Sequence, residues 1–217
     1  MKLQIKKEEF LNNEANKQRF INRLGSQMEE KGCKVVHATG DADLLIVQTT
    51  ISSADRADSI LIGDDTDLLV LLCYHVGNTR FNVFFKPEIK SNTRKTNRCW
   101  NIKSTQSHLG IEVCKNILFI HAILGCDTTS RVFGVGKRTS LARAKVSLFF
   151  RKQAEVFRNE DSSVDSILKA GEKALVSLYG GEPTETLNTL RHRRFCEKTA
   201  TGRSYVQSQK YSSNFIS

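Results

Sequence analysis

From Lys7 to Glu30 the apolar residues Phe10, Leu11, Phe20, Leu24 and Met28 recur at roughly helical spacing, and Lys31-Gly32 closes that helix. CKVVHA (33–38) reads as a short strand. GDADLLIVQTTISSA (40–54) reads as a helix whose acidic start suits the positive end of the helix dipole. DSILIG (58–63) is a β-branched apolar run that predicts a strand buried on both faces, and DLLVLLCYH (67–75) predicts the helix after it. RFNVFFKPE (80–88) predicts an edge strand closed by Pro87. A basic loop, KSNTRKTNR (90–98), leads to a strand at CWNI (99–102) and to one or two helices over 103–125. GVGKRTSLARAKVSLFF (134–150) predicts a Gly-rich turn entering a helix. VDSILKAGEKALVSLYGG (164–181) predicts a helix stopped by Gly180-Gly181.

Strands alternating with helices predict βαβ units, an α/β fold and a mostly parallel central sheet. Ligand sites in such sheets form beyond the carboxyl ends of the strands. Asp41 and Asp43 follow one predicted strand, and Asp64, Asp65 and Asp67 follow the next. Both acidic groups are therefore expected at one edge of the sheet.

Composition narrows the class. A chain of 217 residues fits one domain, or one with a small appendage. Its 39% apolar and 26% charged residues are those of a globular protein, so disorder is expected only in the polar tail after Thr199. The longest apolar runs are too short to cross a bilayer, and residues 1–30 carry no visible signal peptide. Six cysteines (33, 73, 99, 114, 126 and 196) show no CxxC pair and no zinc spacing, which predicts buried free thiols in a reducing compartment. The net charge of +10 is uneven. Residues 1–79 hold 9 basic and 12 acidic side chains (−3), residues 80–130 hold 8 and 3 (+5), and residues 131–217 hold 16 and 8 (+8). A small anionic site beside a cationic surface fits a nucleic-acid partner, although cationic surfaces also attract membranes and acidic proteins.

A third acidic point, Asp127, follows the apolar run ILFIHAILG in ILGCDTTS. Clustered carboxylates repel unless a cation is present. Mg²⁺ and Mn²⁺ prefer such oxygen donors, and a pair of these ions can activate a water and stabilise the leaving oxygen of a phosphodiester. Taken singly, GDAD also reads as a helix cap and DDTD as a solvated turn.

GDADLLIV, ILIGDDTDLLVL and ILGCDTTSRVFGVGKRTSLARA together resemble the PIN-like superfamily, and within it the structure-specific 5′ nucleases of the flap-endonuclease type. HAILGCDTTS is also similar to a segment of animal proteins without an assigned activity. The resemblance spans residues 40–145. It implies a PIN-like three-layer α/β fold followed by a helix–two-turn–helix element and C-terminal helices. It also implies metal ligands and catalytic residues at Asp41 and Asp43, at Asp65 and Asp67, and at Asp127, holding one or two Mg²⁺ or Mn²⁺ ions. Asp64 has no place in the pattern. The family's first strand, which carries an Asp, and its second, which ends in one before a helical arch, do not occur here. The domain is therefore expected to be N-terminally incomplete, as a fragment, a shortened gene model or a degenerate form. The expected organisation is a PIN-like core over 1–130, a helical DNA-binding extension over 131–199 and a flexible tail over 200–217.

The GVGK turn matches the family's duplex-gripping element. Gly134 and Gly136 allow positive φ and close approach to phosphate, the helix that follows offers free N–H groups, and Lys137, Arg138, Arg143 and Lys145 add charge. Gly134, Gly136, Lys137 and Arg138 are the expected nucleic-acid contacts. The plain alternative is a Gly-rich turn before a solvated basic helix. Phe149 and Phe150 read as core. His121, inside an apolar helix, reads as a satisfied core residue, while His37 and His75 adjoin the acidic groups in sequence. RHRRF (191–195) reads as a solvated basic face. The resulting expectation is a divalent-metal-dependent nuclease on DNA rather than RNA, intracellular and nuclear, with no membrane partner. The alternative is a catalytically inactive nucleic-acid-binding module. A small-molecule phosphohydrolase would explain the aspartates but not the basic remainder.

Overall fold

The computed structural model describes residues 6–88, 99–126, 129–130, 132 and 134–200, in two compact units, Met1–Leu45 and Ile46–Ser217. In the first unit the predicted long helix is broken in two. Helix α1 (Lys7–Leu11) stops at Asn12, and α2 (Glu14–Glu30) starts from Asn13, whose side chain accepts the N–H of Asn16 at 3.1 Å. Adjacent asparagines offer the backbone local hydrogen bonds that compete with a continuous helix. Gly32, with φ +82°, turns the chain out of α2. Residues 33–38 form no strand. Val35 and His37 lie against Gly25 of α2 instead, where an added Cβ would meet His37 Nε2 at 3.2 Å and Val35 Cγ1 at 3.3 Å. Helix α3 (Ala42–Ser53) follows as expected.

In the second unit β1 (Ser59–Ile62), α4 (Thr66–His75) and β2 (Val83–Lys86) form a βαβ unit, with β1 and β2 parallel and Ser59 opposite Val83. Asp58 ties the start of this pair by accepting the backbone N–H of Asn82 at 2.8 Å. A short β3 (Trp100–Asn101) adds antiparallel to β2, placing Phe85 opposite Trp100. The sheet described is thus small and mixed rather than mostly parallel, and the overall class is mixed α/β with helix predominant. Two strand expectations change. β2 is the central strand and not an edge, because β3 pairs along its other side, and Pro87 falls just beyond its last ladder position. β1 buries only one face: Leu61 is 4% exposed, whereas Ile60 and Ile62 are 57% and 66% exposed.

One core gathers Val47 and Ala54 from the α3 side, Leu61, Val83 and Phe85 from the sheet, Leu68 and Leu72 from α4, and Ile102. Gln106, in α5 (Ile102–Leu109), donates to the carbonyls of Cys73 and Val76, closing the C-terminal end of α4. Gly110 breaks the apolar stretch, with φ +88°, so α6 (Ile111–Leu124) leaves in a new direction. A second core joins α6 to α7 (Lys137–Val146), α8 (Leu148–Arg158) and α9 (Val164–Leu178), through Val113, Phe119, Ile120, Leu124, Ala144, Phe150, Ala174 and Leu178. Phe150 is fully buried against Phe119, and burial of a side chain that size is worth roughly 1.5–3 kcal/mol. Ser147 and Ser163 cap α8 and α9. Helix α10 (Leu187–Ala200) ends the described chain, and the tail from residue 201 lies outside the described residues. Among the described residues no single helix is long and apolar enough to cross a membrane.

Candidate functional site

The two D-x-D segments adopt the same local form. Asp41 accepts the backbone N–H of Asp43 through Oδ1 at 3.0 Å, ahead of α3. Asp65 accepts the N–H of Asp67 through Oδ1 at 2.9 Å, as the N-cap of α4. In each, the first carboxylate meets a donor that a helix start leaves unpaired, and the second sits in the first turn, where the dipole favours negative charge. This is why the chain tolerates carboxylates so close together. The cap engages one oxygen of Asp65, and a carboxylate has acceptor capacity to spare.

Gly63 sets the approach to α4. A Cβ there would lie 2.7 Å from Leu68 Cδ1, so glycine lets the end of β1 run this close to the helix it feeds without displacing that methyl. Asp65 and Asp67 therefore stand just past the carboxyl end of β1, as expected.

The third element is one the sequence reading did not credit. His121, in the last turn of α6, brings Nε2 to 3.0 Å from Asp67 Oδ1, with side chains 15% and 27% exposed. The distance is that of an ion pair, without the alignment of a hydrogen bond, and Nε2 is buried with no other hydrogen-bond partner. His121 is thus not a satisfied core histidine. The signal available was its place as the single ionisable residue in ILFIHAILG, one and a half turns before the acidic end of that run. Helices α4 and α6 pack antiparallel, with Asp67 near the start of one and His121 near the end of the other. Thr129 folds back on the same end, donating through Oγ1 to the carbonyl of Ala122 and accepting the N–H of Cys126. Cys126 and Thr129 are thereby tied to the end of α6; Asp127 itself lies outside the described residues.

Asp65, Asp67 and His121 are the residues brought together in the second unit, while Asp41 and Asp43 belong to the first. Among the described residues, no three His, Cys, Asp or Glu side chains are arranged to hold an ion. The donor types present, two carboxylates beside an imidazole, are ones a cation such as Mn²⁺ accepts, although Nε2 faces Asp67 Oδ1 at 3.0 Å. His75 does not join them, since it closes α4 about 12 Å along the helix axis from Asp67. In the first unit His37 packs on α2.

In the Gly-rich turn Gly134 takes φ +73°, as the turn requires, but Gly136 sits at φ −89°, an extended conformation open to any residue. Gly136 is the N-cap of α7 and supplies no side-chain cap, and both Lys137 and Arg138 are exposed beside the helix's first N–H groups. The cysteines also differ from expectation. All six are free, but Cys33, Cys99 and Cys196 are exposed and only Cys73 is buried, its thiol pushed up to about 12 by burial and then by the neighbouring Cys114. RHRRF falls in α10, where Arg193 grips Glu185 through Nε and Nη2 and Glu197 through Nη1. Those bonds, joined by the N–H of Glu182, hold the Glu185 carboxyl down at about 2. Comparison of the chain with protein-family models, with characterised proteins and with solved structures finds no match.

Proposed function

We propose that this protein is a divalent-metal-dependent nuclease acting on DNA, built on a PIN-like three-layer arrangement. Asp41, Asp43, Asp65, Asp67 and Asp127 would hold one or two Mg²⁺ or Mn²⁺ ions. The observation that carries this reading is the Asp67–His121 contact, which draws the end of α6, and with it the neighbours of Asp127, to the carboxyl end of β1. Bound ions would supply a nucleophile at neutral pH and neutralise charge on the scissile phosphate. The chain's own part is to position. Asp65 fixes the first turn of α4, His121 holds the orientation of Asp67, and the exposed Lys137 and Arg138 at the start of α7 offer charge and N–H groups to a phosphate backbone. The net +8 of residues 131–217 favours nucleic acid over a small phosphorylated substrate.

Purified protein incubated with branched and single-stranded DNA and Mn²⁺ is expected to cleave, and Asp65→Asn with Asp67→Asn to abolish cleavage while the melting curve persists. Cleavage that survives the double substitution would refute the assignment. A second reading, an inactive nucleic-acid-binding module, is favoured by one observation: capping accounts for Asp41 and Asp65 without any ion. DNA binding that is equal with chelator and with Mn²⁺, in a protein that never cuts, would select it.

A further inference from the structure

Helix α9 ends in a glycine turn that two arginines from other helices approach together. Tyr179 is its C-cap, Gly180 follows at φ +74°, and the N–H groups of Gly180 and Gly181 return to the carbonyls of Ser177 and Val176. The bare Gly180 leaves room above the turn. A Cβ there would lie 3.1 Å from Nη2 of Arg143, on α7, and 3.5 Å from Nη2 of Arg194, on α10. The two guanidinium nitrogens are therefore no further apart than the sum of those distances.

Like charges this close repel, and the surroundings neutralise them only in part. The α9 carboxyl end contributes its dipole and the Tyr179 carbonyl, which accepts from Arg194 Nη2 at 3.3 Å. Glu185 stands beside Gly181 and attracts Arg194, but its hydrogen bonds are to Arg193 and to the N–H of Glu182. Glu197 faces Arg193 at 3.0 Å and reaches Arg194 Nη1 only at 3.4 Å, on the exposed side of α10. Arg143 makes no ion pair among the described residues. Guanidinium forks suit phosphate oxygens, and at roughly 2.7–2.9 Å per charge-assisted bond one phosphate group spans the gap between two such forks.

We propose that Arg143 and Arg194 form a phosphate clamp over Gly180 that takes one backbone phosphodiester of duplex DNA, at a place separate from the Gly134–Lys137 turn. The inference rests on the reading of this chain as a DNA-binding protein, but not on its cleaving DNA. The clamp adds a grip contributed by α7 and α10 together, so the last helix takes part in substrate binding.

The test is equilibrium binding of a fluorescent 20-base-pair duplex by anisotropy, in chelator, across a salt series. For Arg143→Gln with Arg194→Gln, the slope of log affinity against log salt is expected to become shallower by about 0.9, the value for one phosphate contact. The variant then loses about 3.5-fold less affinity than wild type between 50 and 200 mM salt. Arg143→Lys with Arg194→Lys keeps the charge and is expected to keep the slope. Arg19→Gln with Arg23→Gln, an equal charge loss on α2, is expected to leave it unchanged. Wild-type binding with an unaltered slope in the folded Gln variant overturns the clamp alone. Absence of any salt-dependent binding by wild type overturns both the clamp and the DNA-binding reading.

Discussion

Replacing Gly63 with alanine tests how tightly the end of β1 is fitted to α4. The new Cβ would sit 2.7 Å from Leu68 Cδ1 and 3.5 Å from Leu61 Cδ2. Carbon atoms settle at about 3.5–4.0 Å, so the Leu68 methyl must retreat by roughly 1 Å. Leu68 is 6% exposed and packed among Val47, Leu61 and Leu72, which leaves little room to rotate. Overpacking of this size costs about 1–3 kcal/mol. For a chain of this length, that lowers the melting temperature by roughly 2–12 °C. Urea unfolding gives the free energy, and the cause is isolated by a double-mutant cycle with Leu68→Ala. That substitution alone costs about 2–5 kcal/mol, but it removes the methyl that the new Cβ strikes. Gly63→Ala made on the Leu68→Ala background is therefore expected to cost no more than about 0.5 kcal/mol. An undiminished cost on that background would refute the steric account and point to backbone conformation instead.

Asp65→Asn retains the oxygen that caps α4, whereas Asp65→Ala loses it. Denaturation should show the alanine variant about 1 kcal/mol less stable and the asparagine variant close to wild type. Glu185 is held at about 2, below its ordinary 4.5, so its contribution to stability is present above pH 4.5 and disappears as pH falls toward 2. Melting temperatures measured from pH 6 to 2 should drop less steeply for Glu185→Gln. Cys73, raised to about 12, stays a neutral thiol when folded while its unfolded counterpart ionises above about 9. Stability should accordingly decline between pH 9 and 12, less so in Cys73→Ala. A thiol reagent at pH 8 should modify Cys33, Cys99 and Cys196 well before Cys73.

The sequence made local structure legible wherever a short pattern decides it. Gly32 and Gly180 stop their helices as read, β1–α4–β2 follows from three apolar runs, and the acidic starts of α3 and α4 are where the dipole argument puts them. Long-range pairing decided the rest. Residues 33–38 have strand-like composition, yet Val35 and His37 found α2 as their neighbour. Whether RFNVFFKPE lies at an edge or in the centre depended on where the short strand at Trp100 and Asn101 pairs, which its composition does not say. Ile60 and Ile62 show that an unbroken apolar run does not guarantee two covered faces. The partner of His121 was hidden for a related reason: a histidine's worth lies in what it faces, and Asp67 is far from it along the chain.

Helix α6 serves two masters. Its apolar side is covered by α7, α8 and α9, while His121 on its last turn meets α4. Cutting the chain after residue 130, to isolate the sheet and its acidic edge, would uncover Val113, Phe119, Ile120 and Leu124 at once. Four buried apolar side chains exposed together make such a fragment prone to aggregate, so the later helices support α6 and with it the Asp67–His121 contact.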